Sequence, residues 1–245
     1  MKNGFFLITG TSKGIGEAVA QKILQEGHTV LGISRNRSDL LTSPNYHHLS
    51  IDLTDTSRFN QILEQTNKIV EGQPFDFLCL INNASATEPM GPIEACPPEA
   101  IEAHVKIGLV APMLLTSLFI KRFQDEKVRK KVVFISSGAA LHPLADMSVY
   151  CGSKAGSLMF GKVIGAEQKD KEYGFEVVSI GPGMVETGMQ QAVRSKSDVD
   201  FAMSGYFRQA YEEGKVQEPE LVAEKIFTIL QNTYEQGQYV SVSEI

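Results

Sequence analysis

Tyr150 and Lys154 stand four residues apart. If the chain is helical there, both side chains lie on one face and can serve one site. Tyrosine normally keeps its proton until about pH 10, and a cation held beside it favours the phenolate, so the pair describes an acid able to work near neutrality. Upstream, the run Lys131-Val-Val-Phe-Ile-Ser136 reads as a buried strand that delivers Ser137 to its end. A serine hydroxyl aimed at the same spot could hold a carbonyl oxygen. The spacing equally fits a Tyr and a Lys that merely share a helix, and only the rest of the chain can separate these readings.

The elements that would position such a site begin at the N-terminus. Phe5-Phe-Leu-Ile8 is a short apolar run of the kind buried on both faces of a sheet. Thr9-Gly-Thr-Ser-Lys-Gly-Ile-Gly16 follows, and Ile15, Ala18, Val19 and Ile23 then recur at helical spacing until Gly27. A strand, a glycine turn and a helix in this order let the backbone of Gly10, Ser12, Lys13, Gly14, Ile15 and Gly16 approach a pyrophosphate at a helix N-terminus. The glycine spacing is three residues and then one, which differs from the G-x-G-x-x-G fingerprint. His28 to Ile33 completes a βαβ unit, and the residues after it bear on the cofactor. An acidic residue there would bind the adenosine ribose of NAD, whereas arginine accepts the 2′-phosphate of NADP. The chain has Ser34-Arg35-Asn36-Arg37, with Lys13 as a second cation, so NADP(H) is expected.

Further strands are read at Tyr46 to Ile51, Phe75 to Ile81, Val132 to Ser136, Phe175 to Ile180 and Tyr239 to Val242. Asp52 and Asp55 can cap the helix carrying Phe59, Ile62, Leu63 and Ile69. Asn82-Asn83-Ala84 could bridge strands or border a cofactor. A long helix runs from Pro97-Pro98 to about Phe123, another from Ser148 toward Glu167, and a last one from Pro219 to about Leu230. This alternation predicts the α/β class: a single Rossmann-type doubly wound parallel sheet of about seven strands with helices on both faces. Ligands of such sheets bind beyond the strand carboxyl ends, where Gly10, Arg35, Asp52, Asn82, Ser137 and Pro182 all fall. The stretch 184–216 is expected to be an irregular lid over substrate.

With 245 residues and no linker, repeat or low-complexity block, the chain reads as one domain, 1–245. Its net charge is -6, and its basic residues are scattered apart from Lys121-Arg122 and Lys127-Val-Arg-Lys-Lys131, which argues against a nucleic-acid surface. Those two groups are expected to form a solvated face at a helix end. Cys79, Cys96 and Cys151 show no C-x-x-C spacing, which favours reduced thiols in the cytoplasm and no metal site. The apolar N-terminal run is too short to span a membrane, and no membrane association is expected.

Five motifs occur in order: Thr9-Gly-x-x-x-Gly-Ile-Gly16, Asn82-Asn-Ala84, Ser137, Tyr150-x-x-x-Lys154 and Pro182-Gly183-x-Val185-x-Thr187. Together they resemble the short-chain dehydrogenase/reductase family over essentially the full length. The resemblance implies hydride transfer between a nicotinamide and a carbonyl or alcohol carbon. It implies Tyr150 as the acid in reduction, Lys154 orienting the nicotinamide ribose and lowering the tyrosine pKa, and Ser137 holding the substrate oxygen. Asp52 and Leu53 would border the adenine, Asn83, Ala84, Pro182, Gly183 and Val185 would line the cofactor, and Thr187 would meet the carboxamide. A small-molecule carbonyl substrate and a homodimer or homotetramer are also implied. Gly10-Thr-Ser-Lys-Gly14, Ala111-Pro-Met-Leu-Leu-Thr-Ser117, Phe134-Ile-Ser-Ser-Gly-Ala139 and Tyr150-Cys151 most resemble the bacterial benzil reductases that form (S)-benzoin, which are similar to sepiapterin reductases. Ser241-Val-Ser243 lacks the carboxylate that sepiapterin reductases offer a pterin, so an aromatic ketone or diketone is expected. Two positions depart from the family. Ser85 replaces a usual glycine and should avoid positive φ. Gly108 replaces an asparagine that supports a water relay to the lysine, which leaves a cofactor-binding sensor or scaffold as the alternative to an NADPH-dependent carbonyl reductase.

Overall fold

The computed structural model describes residues 1–198 and 201–245. Seven strands form one parallel sheet: β1 (Gly4–Thr9), β2 (Thr29–Ser34), β3 (Tyr46–Ser50), β4 (Phe77–Asn82), β5 (Arg129–Ile135), β6 (Glu176–Gly181) and β7 (Gln238–Ser241). Their spatial order is β3-β2-β1-β4-β5-β6-β7, so the direction of winding reverses between β1 and β4. A crevice opens beyond the strand ends at such a reversal.

The period-two alternation of the strands sorts their side chains onto two cores. Phe6 and Ile8 of β1 face α1 (Gly14–Gln25) and α8 (Pro219–Gln231), where Val19, Ile23, Ile226 and Leu230 meet them. Phe5 and Leu7 face the opposite side, with Phe59 and Ile62 of α2 (Phe59–Val70). That second core also takes Leu115, Phe119 and Phe123, from the helical run that begins with α3 (Pro98–Val105) and ends with α4 (Ala111–Phe123). α5 (Ser148–Gln168) adds Phe160 and Ile164 to it. Helices therefore cover both faces.

The helical run Pro98–Phe123 is long and apolar enough to cross a membrane by length and composition. Here it lies on the sheet through Ala111, Leu115, Phe119 and Phe123, all at most 2 % exposed. The run is not one regular α-helix. Lys106–Val110 form a π-helical turn between α3 and α4, with Gly108 buried in its middle.

Three local expectations are corrected. Lys130 and Lys131, at the start of β5, do not form a solvated face, being 1 % and 0 % exposed, whereas Lys127 before the strand is exposed. Lys130 Nζ donates to the carbonyls of Phe123, Gln124 and Glu126 at the end of α4. Lys131 Nζ donates to those of Ile229, Leu230 and Asn232 at the end of α8, and pairs with Glu176 at 3.0 Å. Carbonyls left over at a helix C-terminus attract cations, and these lysines satisfy them from within the sheet. Second, neither Asp52 nor Asp55 caps a helix with its side chain. Asp52 Oδ1 instead accepts from the amide and hydroxyl of Thr54, 2.9 Å each, closing an Asx turn.

Third, the stretch 184–216 is not irregular. It contains α6 (Gly188–Ser195) and α7 (Ser204–Glu212), while Val199 and Asp200 within it lie outside the described residues. The two helices are short and amphipathic, with Gln190 and Ser204 turned inward among the apolar residues, a pattern too brief and too interrupted to give a sustained helical period. Among the described residues, Asp146 alone of the non-glycines has positive φ, so Ser85 avoids it as expected.

Candidate active site

The glycine turn sits where β1 ends, against the end of β4. Gly10 and Gly14 have φ of 77° and 63°, a region that glycine enters without steric cost. A Cβ on Gly10 would stand 2.8 Å from Asn83 Nδ2, and one on Gly16 would collide with the Gly10 carbonyl. Asn83 acts here as a strut: its Nδ2 donates to the carbonyl of Thr9 at 2.8 Å, and the Thr9 hydroxyl accepts from the amides of Asn83 and Ala84 at 3.0 Å. The bare turn and the start of α1 thus face the crevice with the backbone uncovered. Ser12 and Ile15 are half-buried in that turn, and Lys13 is exposed at the cap of α1.

Arg35 and Arg37 are exposed just beyond β2, and among the described residues neither they nor Lys13 forms a salt bridge. Beneath them lies a buried polar cluster that the sequence reading missed. The Thr11 hydroxyl is 3.0 Å from Tyr46 Oη, Ser34 Oγ is 3.0 Å from His48 Nε2, and Arg37 stacks over the Tyr46 ring. Asp52 is half-buried beside this cluster, its carboxyl held below the usual range by the Thr54 amide. Leu53 turns its side chain into the core with Ile51, so it offers no side chain to an adenine.

Across the crevice, Pro182 is buried and Gly183 is exposed with φ of 74°. Val185 pairs with Gln217, clipping the root of the 184–216 stretch to its exit. Thr187 caps α6 by accepting from the Gln190 amide, and its methyl group lies about where a Cβ on Gly14 would reach, at 3.1 Å. The glycine turn and the Pro182 to Thr187 segment therefore form opposite lips of one cleft. The stretch is latched at its far end: the Ala202 amide donates to Asp146 Oδ2 at 3.1 Å, and Lys196 pairs with Glu88 at 3.0 Å.

Ser137 follows β5, accepts from the Ala139 amide at 3.2 Å and keeps its hydroxyl hydrogen for the Tyr150 oxygen. Tyr150 and Lys154 lie in the first two turns of α5, at 9 % and 7 % exposure. Lys154 Nζ donates to the Ile135 carbonyl at 2.8 Å and lies 5.7 Å from the centre of the Tyr150 ring. Burial brings the Lys154 amine down to about 8. Burial also pushes the Tyr150 phenol above its ordinary value, with the Ser137 hydroxyl opposing. In the free protein the loss of water therefore governs the phenol and outweighs the Ser137 hydrogen bond.

The wall beside Tyr150 is apolar. Ala139, Met147, Val193 and Phe201 form a cluster with it, joined by Met90, Leu144, Cys151, Met203 and Phe207. Cys151 is half-buried in this wall rather than fully enclosed. His104 was not singled out from the sequence, although it stands one helical turn before Gly108. Its ring meets the Tyr150 ring edge-on at 6.0 Å, and its Nδ1 donates to the Glu88 carbonyl at 2.8 Å. Among the described residues, no group of three or more His, Cys, Asp or Glu is arranged to hold a metal.

Comparison with known proteins gives the same outline. A family model described as short chain dehydrogenase matches residues 5–198. The chain is 37 % identical over 247 residues to a benzil reductase ((S)-benzoin forming) of Bacillus cereus, covering 98 % of this chain and 99 % of that protein. A benzil reductase ((S)-benzoin forming) of Bacillus subtilis is 35 % identical over 239 residues, covering 98 % of each. In fold, a short-chain dehydrogenase/reductase of Saccharomyces cerevisiae superposes with a TM-score of 0.84 at 22 % identity, over 98 % of this chain and 96 % of that one.

Proposed function

The chain belongs to the short-chain dehydrogenase family, and from that premise we propose that it is an NADPH-dependent carbonyl reductase acting on a benzil-like aromatic diketone. One observation carries the reading: Ser137, Tyr150 and Lys154 gather beside the glycine turn at the reversal of the sheet, against a wall of Met and Phe side chains. The uncovered turn fits a dinucleotide, since Gly10, Gly14 and Gly16 keep the backbone accessible and Lys13 and Arg35 form no salt bridge among the described residues. Those two cations support NADP over NAD.

A bound nicotinamide supplies the hydride. The rest of the chemistry belongs to the chain. Tyr150 keeps its proton through the neutral range, so it can donate that proton to the substrate oxygen as the oxygen gains charge. Ser137, whose hydroxyl faces the Tyr150 oxygen, holds the same substrate oxygen. Lys154, tied to Ile135, keeps a cation close to the phenol during the transfer and stands ready for the nicotinamide ribose. Thr187, whose oxygen already accepts from Gln190, has its hydrogen left for a carboxamide. Asn83 and Ala84, Pro182, Gly183 and Val185 shape the cleft, and Asp52 and the Leu53 backbone border its adenine end. The 184–216 stretch covers the substrate with Val193, Phe201, Met203 and Phe207, which favours flat apolar rings over a polar pterin.

A sensor or scaffold role is not favoured, because Ser137, Tyr150 and Lys154 are all present and the relatives matched over nearly the whole chain are reductases. Three free thiols agree with a cytoplasmic setting. Exposed Leu114, Met159 and Val163 on α4 and α5 agree with a homodimer or homotetramer. The test is to mix the purified protein with NADPH or NADH and a panel of aromatic diketones, following loss of reduced-nicotinamide absorbance. Faster turnover of a benzil-type diketone with NADPH is expected. Tight NADPH binding without turnover of any carbonyl would sink the reading.

A further inference from the structure

Two consecutive carbonyls in the loop after β2 are each held by a serine hydroxyl. Ser50 Oγ donates to the Arg35 carbonyl at 2.8 Å, and Ser34 Oγ donates to the Asn36 carbonyl at 2.8 Å. The two serines are register partners at the ends of β3 and β2, so both carbonyls are drawn toward one place. A planar trans peptide sets its N–H and C=O on opposite sides, and the held carbonyls therefore turn the amides of Asn36 and Arg37 away from the serines. Among the described residues neither amide has an acceptor, and Arg35, Asn36 and Arg37 are all exposed. Successive amides turned the same way make an anion-binding concavity. The side chains on either side of Asn36 are guanidinium groups, which match phosphate oxygens in geometry and charge.

The polar cluster beneath the loop supports this shape. Ser34 has spent its one hydrogen on Asn36, so its oxygen accepts from His48 Nε2 at 3.0 Å, and the imidazole carries its hydrogen on that nitrogen. Thr11 Oγ1, in the glycine turn, stands 3.4 Å from the same serine oxygen and 3.0 Å from Tyr46 Oη. Gly32 makes the room: a Cβ there would lie 2.4 Å from Tyr46 Oη and 2.5 Å from Thr11 Oγ1. The Arg37 guanidinium lies 5.6 Å from the centre of the Tyr46 ring, so the cluster ties the loop after β2 to the glycine turn. A dinucleotide in this crevice rests its pyrophosphate on that turn and brings its adenosine 2′ position to the end of β2.

We propose that the Asn36 and Arg37 amides, with the Arg35 and Arg37 guanidinium groups, form a nest for a phosphate monoester, the 2′-phosphate of NADP, and that Ser34, His48 and Ser50 hold this nest in shape. The proposal rests on the NADPH reading above and adds to it the backbone donors and the residues that aim them. Ser34, His48 and Ser50 are positioning residues that act through the loop.

Binding measurements on the full chain test this. Ser50 is exposed, so Ser50→Ala leaves the core intact. This variant is expected to weaken NADPH about fivefold, with NADH affinity kept within about twofold, because NADH carries no 2′-phosphate. Ser50→Thr, which keeps the hydroxyl, should bind NADPH within about twofold of the wild type. His48→Leu, which removes the donor to Ser34, should lower NADPH affinity more than NADH affinity. Equal losses for the two cofactors in Ser50→Ala, or NADPH affinity unchanged in it, overturn the proposal. In amide NMR spectra, adenosine 2′-monophosphate is expected to shift the Asn36 and Arg37 signals, whereas adenosine 5′-monophosphate and inorganic phosphate should leave them in place. Shifts of the same size with inorganic phosphate would mark a general anion site and overturn the assignment to the cofactor. A wild-type protein that binds NADH as tightly as NADPH removes the NADP reading and the nest with it. A wild-type preference for NADPH that persists in full in Ser50→Ala removes the nest alone.

Discussion

Lys154 reaches from the second turn of α5 to the end of β5, where its Nζ donates to the Ile135 carbonyl at 2.8 Å. This bond ties the helix that carries Tyr150 to the strand that delivers Ser137. It also holds an amine where water is excluded, which is why its pKa falls to about 8.

That buried amine links stability to pH. Between about 8 and its ordinary value of 10.5, the unfolded chain holds the Lys154 proton and the folded one does not, so stability rises with pH through that window. Relative to Lys154→Met, the cofactor-free wild-type protein should gain about 3 kcal/mol between those limits, an order-of-magnitude figure from the size of the shift. Denaturant unfolding at a series of pH values measures it, and parallel curves for the two proteins would refute it. The variant should also lose most of its activity.

Tyr150→Phe removes the transferable proton and little else. A fall in kcat of about 10²-fold or more is expected, with NADPH affinity unchanged within about twofold. Kinetics alongside a binding titration check both halves. Undiminished turnover would refute the role of the acid.

Arg35 is exposed at the end of β2 and forms no salt bridge among the described residues. Arg35→Ala should weaken NADPH by about tenfold, the scale of one lost charge-assisted hydrogen bond, and leave NADH nearly unaffected. Dissociation constants for both cofactors decide it. Equal losses would count against a 2′-phosphate contact.

Lys131 tests the structural side. Lys131→Met takes the buried cation from the Ile229 and Leu230 carbonyls, while Glu176 keeps Arg129 and the Tyr234 amide and the Asn232 carbonyl keeps Arg129, so a loss of about 1–3 kcal/mol is expected. Thermal and denaturant unfolding should register it, and cofactor affinity at low temperature should not change. A variant as stable as the wild type would show that solvent or neighbours satisfy these groups.

The sequence by itself determined the order of elements, while the reaction type rested on the family resemblance that five motifs carry together. Apolar runs, the glycine turn and the four-residue Tyr150 to Lys154 spacing are local signals, set by the two-residue period of strands, the 3.6-residue period of helices and the φ freedom of glycine. They needed no knowledge of distant residues. What only the tertiary structure decided involves partners far apart in the chain. Lys130 and Lys131 look like surface charge until the ends of α4 and α8 are brought to them. The 184–216 stretch packs Val193, Phe201 and Phe207 against Ala139, Met147 and Tyr150, which lie far from it in the chain. The rise in the Tyr150 pKa comes from packing on all sides, which spacing does not report. Likewise, Gly108 reads in one dimension as a missing side chain. Folding puts His104 and Ser153 around it, because the π turn and α5 pack face to face, and the gap becomes a place with its own polar lining.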